Sequence, residues 1–442
     1  MRKELYDNYF KDKKTTVMGL GLLGRGVGDT LFLAEHCGDV IVTDKKTEEQ
    51  LNASVEQLNG CKNITYILGE HRTTDFEGRD FILKAAGVPY DSEYIEHAKK
   101  HTVPVYMSAA LVSNIVMQSD LGVTIIGVTG TRGKTTVTQL VAHILTSCGL
   151  SIRLGGNVRG VANLPLLDDI DEGDFLVLEL DSWQLQGFGD MKISPNIAVF
   201  TSFMDDHMNY YKNDKELYFN DKANIYRSQT EFDVLIASPQ AASEIEKREK
   251  TTILIPEEKK FEMKLIGEHN QVAARLAYEV AIQCGLADDE IRDAIKSFEG
   301  VEGRLQDCGF FGGEKKIRVF NDNNATTGDA TIAAIKAINE TYLKKPIIIV
   351  GGADKGLPLE LLNQTLASDT QACVLLSGTG TDQLMIDKEY MFETLSECLD
   401  QAFLLTKQDD IILFSPAFAS FSKYFNNEYE KNDVFMESLK GR

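Results

Sequence analysis

Short apolar, β-branched runs alternate with helical stretches from the start of the chain: "TTVMGLGLLGRG", "DVIVTDKK", "NITYILG", "DFILKAAGVP" and "VPVYMSA" each predict a strand. Buried strands separated by helical segments are the signature of a parallel sheet. This pattern closes near residue 118. A second run opens with "LGVTIIGVTG" and passes through "DFLVLEL" and "NIAVFTS". A third, from about residue 300, holds "IRVFNDNN", "PIIIVGGADKG", "ACVLLSGTG" and "DIILFSPA". The expectation is an α/β protein of three domains in series, divided as 1–118, 119–301 and 302–442. No short-period repeat or low-complexity tract interrupts them.

The length of 442 residues exceeds one ordinary core and agrees with two or three domains. Composition changes the picture in two respects. A net charge of −21 argues against nonspecific binding to nucleic acid or to an anionic membrane, whose field the chain would meet with repulsion. The seven cysteines form no CxxC pair, so neither a disulfide framework nor a thiolate metal site is indicated. The start "MRKELYDNYFKDKK" has no signal-peptide apolar core, and no run reaches the length of a membrane span. A reduced, cytoplasmic setting is expected.

Candidate chemistry begins with "GVTGTRGKTTVTQL", Gly127 to Leu140. It follows a strand and opens an amphipathic helix, so its backbone N–H groups and the helix N-terminus are arranged to hold an anion. The loop residues are Gly130, Thr131, Arg132, Gly133, Lys134, Thr135 and Thr136. Lys134 would reach the outer phosphates of a nucleotide and the Thr135 hydroxyl would ligate Mg²⁺. The spacing is G-x-x-G-x-x-G-K-T-T, a variant of the usual phosphate loop, because Val128 stands where the strict pattern needs glycine. A glycine-rich turn carrying a surface lysine is the plain alternative.

Three further stretches carry chemistry. "GLGLLG", Gly19 to Gly24, with Asp44 ending the next strand, matches a dinucleotide-binding fingerprint with which a nucleotide other than NAD is equally compatible, a tight strand-to-helix turn without ligand being the plain alternative. "LELDSWQLQ" puts Glu179 at the end of an apolar strand, where a parallel sheet places metal ligands; a solvated strand end is the alternative. "TSFMDDHMNYY" sets Asp205, Asp206 and His207 after a strand, a donor set suited to Mg²⁺ or Mn²⁺.

Further along, Lys222 shares a helical face with Tyr218, Ile225 and Tyr226. Spacing alone favours a snorkelling side chain, the other reading being a desolvated, nucleophilic amine. Asn270, at the head of the amphipathic "GEHNQVAARLAYEVAIQCGL", reads as a helix cap. Arg304, Asp322 and Lys355 lie in loops of the third segment, where α/β proteins put ligand contacts.

With these pieces in order the chain resembles the Mur ligases. The resemblance rests on "GVTGTRGKTT", "GGNVRG", "LELDSWQLQ", "DDHMNYY", "YFNDKANIY", "GEHN", "GRLQ", "FNDNNATT", "GGADKG" and "SPAFASF", which run in the family's order from residue 127 to 421, and "GLGLLG" extends it toward the N-terminus. It implies a Rossmann-like N-terminal domain for the UDP, a central ATPase and a Rossmann-like C-terminal domain for the amino acid. The implied reaction is ATP-dependent amide formation through an acyl phosphate, with UDP-N-acetylmuramoyl-L-alanine and D-glutamate as the nearest substrate pair and a monomer as the acting form.

The resemblance also assigns residues. Lys134 and a Mg²⁺ on Thr135 and Glu179 would serve the γ-phosphate, and a second Mg²⁺ would be held by His207 and by Lys222 carboxylated on its amine. Asn270 would contact adenine; Arg304 and Asp322 would bind ATP after domain closure. Gly21, Leu22, Leu23 and Asp44 would hold the UDP, Asn157 and Gln184 the muramoyl part, and Thr326, Lys355 and Ser420 the amino-acid carboxylates.

The chain departs from the family at Asp181 for serine, Ala273 for asparagine, Gly303 for histidine, Asn324 for lysine, Lys431 for arginine, and "KAAGVP" for an S-P-G motif. The metal and phosphate residues survive, whereas amino-acid and UDP contacts are altered. Competing readings are a Mur-type ligase for another amino acid, a folylpolyglutamate synthase, an NAD-dependent oxidoreductase using "GLGLLG", and a nucleotide-binding paralogue without catalysis. The roughly 118 residues before the phosphate loop disfavour the synthase. The oxidoreductase leaves that loop unexplained.

Overall fold

The computed structural model describes residues 3–22, 24–419, 425 and 427–442. Three sheets follow one another along the chain. The first has five parallel strands, β1 (Lys14–Met18), β2 (Asp39–Asp44), β3 (Ile64–Leu68), β4 (Phe81–Lys84) and β5 (Val105–Tyr106), in the order β3-β2-β1-β4-β5. Val17 is in register with Val42 on one side and Leu83 on the other. These strands are the five runs expected from the sequence, and they pair because apolar or β-branched side chains cover both faces.

The second sheet, also parallel, comprises β6 (Thr124–Thr129), β7 (Ile152–Gly156), β8 (Phe175–Glu179), β9 (Ile197–Phe200) and β10 (Val234–Ala237) in the order β10-β9-β6-β8-β7. β6 lies at the centre, flanked by β8 and β9. Loops leaving the carboxyl ends of these three strands therefore meet where the strand order reverses, the crevice in which open α/β sheets bind ligands.

The third sheet contains β11 (Gln306–Phe311), β12 (Ile317–Asn321), β13 (Ile347–Val350), β14 (Ala372–Leu376), β15 (Met391–Phe392) and β16 (Ile411–Phe414) in the order β11-β12-β16-β13-β14-β15. β11 runs antiparallel to β12 and the rest are parallel. Apolar clusters cover both of its faces.

By compactness the chain forms two units: 1–259 with 275–294, and 260–274 with 295–442. In the first unit a single apolar core joins the first two sheets, with Val17, Phe32, Leu111, Ile115, Leu167, Leu178 and Phe188 all buried in it. Each such side chain contributes roughly 1.5–3 kcal/mol on burial. A polar bolt runs through the same core: the buried Asp29 carboxylate accepts the Asn163 and Leu164 backbone N–H groups at 2.9 and 2.8 Å. Burial pushes the Asp29 carboxyl up to about 6 despite those bonds. Among the described residues no helix is long and apolar enough to cross a membrane.

Candidate active site

The phosphate loop leaves β6 and enters a helix over Lys134–Ser147. Gly130 has φ +146, and a Cβ there would come within 2.0 Å of the Thr201 hydroxyl oxygen, so the position takes glycine for both conformation and space. The loop is held from the adjacent β9 end. Thr131 N–H donates to the Ser202 carbonyl at 2.7 Å, Arg132 N–H donates to the Ser202 hydroxyl oxygen at 2.8 Å, and the Thr201 hydroxyl donates to the Arg132 carbonyl. Gly133, in the left-handed region with φ +84, is the N-cap of the helix, which puts Lys134, Thr135 and Thr136 in its first turn.

Two lysines converge on this loop. Lys134 Nζ donates to the Gly130 and Thr131 carbonyls at 3.0 and 3.3 Å, and Lys222 Nζ donates to the same Gly130 carbonyl at 2.8 Å. Lys222 lies on the helix Lys215–Ala223 and is 1% exposed, its ammonium 4.8 Å from the centre of the Tyr218 ring. The snorkelling expected from its spacing is therefore wrong: helix and loop close over the amine instead of leaving it at a solvent edge. Desolvation, reinforced by Lys134, drives its pKa well below the ordinary lysine value. This favours the uncharged, nucleophilic amine more than in a solvent-exposed lysine.

Glu179 ends β8 in register with Val128 of β6 and is 4% exposed. No hydrogen bond or ion pair engages its carboxylate among the described residues. Its backbone carbonyl accepts the Asn157 N–H at 2.7 Å, which sets Asn157 beside it, and the Asn157 side-chain oxygen in turn accepts from Arg25.

The segment after β9 differs in part from a simple metal-ligand triplet. Asp206 pairs with Arg132 at 2.7 Å and Asp205 with Lys215 at 2.7 Å, so cationic side chains already engage both carboxylates. His207, at φ +56, packs against Trp183 with ring centres 4.8 Å apart and planes inclined by 50°.

The first sheet supplies a second crevice. Gly21 N–H donates to Asp44 Oδ2 at 3.2 Å and Lys46 N–H to Asp44 Oδ1 at 2.9 Å, so the glycine turn and its acidic partner do meet. Asp44 and Gly21 border a cavity of about 500 Å³ with Lys46, His71 and Tyr94. Gly21 and Leu22 also border one of about 220 Å³ with Arg25, Lys84, Ser108 and Gln184. Leu23 lies outside the described residues. Gln184 forms a reciprocal cap with Asp181 at the start of the helix Ser182–Met191, which explains why an aspartate is accommodated at 181.

Sequence reasoning passed over Arg25 and Lys84. Lys84 is buried at the end of β4, donates to the Val88 carbonyl at 2.6 Å, and lies 4.5 Å from the Tyr90 ring centre; burial brings its ammonium down to about 8. A lysine closing the apolar strand run "FILK" is the signal that could have found it.

In the second unit Asn270 is not a helix cap. It is the third residue of the helix Glu268–Gln283, 4% exposed, and its amide donates back to the Ile266 carbonyl at 2.8 Å. Asp322 accepts from Leu305 N–H at 3.0 Å and from the Ser415 hydroxyl at 2.9 Å, fixing the loop that carries Arg304, and burial raises its carboxyl to about 7. Lys355 Nζ donates to the Thr326 hydroxyl oxygen at 3.0 Å, bringing two of the expected amino-acid contacts together. Ser420 lies outside the described residues.

Residues 128–255 match the profile of the Mur ligase middle domain. The UDP-N-acetylmuramoylalanine–D-glutamate ligase of Borreliella afzelii is 30% identical, over 96% of this chain and 97% of that protein. The chain belongs to the Mur ligase family. It is accordingly an ATP-dependent, amide-forming ligase. The Lactococcus lactis Mur ligase carrying the same name is 31% identical over 97% of this chain and 98% of its own. Among solved structures, MurF ligase from Thermotoga maritima in complex with ADP superposes with a TM-score of 0.60 at 14% identity, over 99% of this chain and 98% of that one. That likeness extends the three-domain Mur ligase fold to the whole chain.

Proposed function

We propose that this chain uses ATP to join D-glutamate to the L-alanyl carboxylate of UDP-N-acetylmuramoyl-L-alanine, a step in making peptidoglycan precursors. The names of its relatives support the substrates. The observation that carries the chemistry is the convergence of Lys134 and the buried Lys222 on Gly130.

In this reading the backbone N–H groups of the helix's first turn, Lys134 to Thr136, hold the ATP phosphates, those of Thr131 and Arg132 being engaged by Ser202, and Lys134 neutralises the terminal one. The donor set fits the magnesium or manganese the family implies. Glu179 is a buried carboxylate without a cationic partner among the described residues, which a divalent ion would satisfy, and the Thr135 hydroxyl, His207 and Lys222 complete the donors. When bound, two ions supply the positive charge that lets a carboxylate and a γ-phosphate approach each other. Lys222 joins this set once its neutral amine attacks CO₂: a nitrogen–carbon bond forms as one C=O π bond opens onto oxygen, the nitrogen releases a proton to solvent, and the uncharged amine becomes an N-carboxylate anion. Asp205 and Asp206 are left out, because Lys215 and Arg132 occupy them.

Gly21, Leu22 and Asp44 are the proposed UDP contacts. Arg25 and Lys84 add positive charge on the wall of the crevice that Gly21 and Leu22 share, the kind a diphosphate needs. Asn157 and Gln184 are assigned to the muramoyl part, and Thr326 with Lys355 to the amino-acid carboxylates. Asn270 and Arg304 are assigned to ATP, with Asp322 orienting the Arg304 loop. The amine of D-glutamate attacks the acyl phosphate carbonyl, and phosphate leaves the tetrahedral adduct. The reading includes a cytoplasmic location and action as a monomer. It is tested by mass spectrometry of the nucleotide product. One glutamyl residue gained per ADP formed supports it, and ADP without a heavier nucleotide refutes it.

A further inference from the structure

Away from the ligase residues, one cluster of metal-ligating side chains has no part in the chemistry above. The helix Glu93–Lys100 carries His97 and is closed by His101, four residues on and therefore on the same face. Their rings lie 4.3 Å apart, inclined by 38°. Glu77, which follows the turn Thr73–Phe76, accepts from His97 Nε2 at 2.7 Å. One ligand atom from each of the three lies within 4.8 Å of the others.

The backbone beneath this cluster is packed from below. Phe76, adjacent to Glu77, is fully buried with Ile95 and Ala98 of the helix in a small apolar core. Phe76 also stacks on Tyr94 with ring centres 5.6 Å apart. The ligands are thus set on two elements that packing already holds together, so little ordering remains for a cation to induce. The tautomer of His101 is fixed as well. Its Nδ1 lies 2.9 Å from the His97 carbonyl and donates to it, which leaves Nε2 as the nitrogen able to ligate. A backbone carbonyl behind the far ring nitrogen is the arrangement that orients and strengthens a metal-ligating histidine.

We propose that Glu77, His97 and His101 form a surface site for a divalent transition metal, Zn²⁺ being the best match to two imidazoles and one carboxylate. Binding moves the His97 proton from Nε2 to Nδ1 through solvent, so that Nε2 and the Glu77 carboxylate both face the ion, and water fills the fourth position. Mg²⁺ does not compete, since it demands octahedral oxygen ligands. The ion clamps the end of the helix to the Thr73–Phe76 turn. The opposite end of that helix, at Glu93 and Tyr94, borders the cavity of about 500 Å³ that contains Asp44.

The experiment is a Zn²⁺ titration of the full-length protein against a chromophoric chelator, with Mg²⁺ saturating, beside His101→Ala and Glu77→Gln. Both changes lie at the surface and leave the Phe76 core intact. The expected result is one Zn²⁺ equivalent in the unmodified protein that raises its Tm. Affinity at that site should fall about tenfold or more in His101→Ala, since even an outer partner of a metal ligand is worth roughly 10- to 100-fold, and should fall in Glu77→Gln as well. Equal Zn²⁺ affinity in all three proteins, or no Zn²⁺ equivalent in the unmodified protein, overturns the site.

Discussion

Replacing Lys222 by methionine separates what this residue does for the fold from what it does for the reaction. The side chains are similar in length, and methionine suits an apolar site. The change removes one hydrogen bond, from Nζ to the Gly130 carbonyl at 2.8 Å. That bond is worth about 0.5–1.5 kcal/mol net, and the carbonyl keeps its second donor, Lys134 Nζ at 3.0 Å. Against this loss stands the relief of burying an amine whose pKa desolvation holds well below the ordinary value. A lysine with a depressed folded-state pKa binds fewer protons folded than unfolded, so its cost is present at neutral pH and fades as the pH rises toward about 10.4. Lys222→Met should therefore fold with a stability within about 1 kcal/mol of the original at pH 7 or above it, any advantage shrinking as the solution is made alkaline. Catalysis should fall by a factor of about 100 or more, as for removal of a group that orients charge at the reacting phosphate. Guanidinium unfolding at pH 7 and pH 9 gives the first quantity and ATP-dependent phosphate release the second. Destabilisation of more than about 3 kcal/mol with a proportionate loss of activity would refute the reasoning, because Lys222 would then be a structural residue.

Three other outcomes are expected. Lys134→Ala should fold normally and release no phosphate, checked by circular dichroism and a coupled phosphate assay; turnover at the original rate would remove the loop from the chemistry. Gly130→Ala, whose Cβ would meet the Thr201 hydroxyl oxygen at 2.0 Å, should distort the loop and lower ATP affinity at least tenfold by calorimetric titration, an estimate equivalent to about 1.4 kcal/mol. The carboxyls of Asp29, at about 6, and Asp322, at about 7, are raised by burial, so the folded chain holds more protons than the unfolded one between about pH 4 and 7 and loses stability as the pH rises through that window. Asp322→Asn should flatten this slope by on the order of 2 kcal/mol between pH 5 and pH 7, measured by denaturant unfolding.

The architecture was legible where local sequence determines it. All five strands of the first sheet fall in the runs read as strands, because β1, β2 and β4 are largely buried and the half-buried edge strands β3 and β5 still carry apolar or β-branched side chains. β7 at the edge of the second sheet and β11 and β15 at the edges of the third carry a weaker signal: "IRLGG" has an arginine and ends in glycines, "QDCGFF" opens on polar residues, and β15 is two residues long. In the site, motif spacing located the loop, Glu179 and the glycine turn with Asp44. Contacts between distant segments were not legible. The burial of Lys222 depends on Gly130, 92 residues earlier, and the capture of Asp206 depends on Arg132, 74 residues earlier. Asn270 misled for a related reason, since a cap accepts from backbone N–H groups whereas this amide donates to a carbonyl. The histidines of "HAKKH" have the i, i+4 spacing of a chelating pair, but only the fold brings Glu77 to them.

The most direct test of the account is phosphate release by the purified protein with Mg-ATP and UDP-N-acetylmuramoyl-L-alanine, measured across D-glutamate, L-glutamate and a panel of other amino acids. Release with D-glutamate alone is the predicted result. Release with a different amino acid would contradict the proposed specificity and direct attention to the altered residues around Asn324, and no release with any amino acid would contradict the ligase mechanism built on Lys134, Glu179 and Lys222.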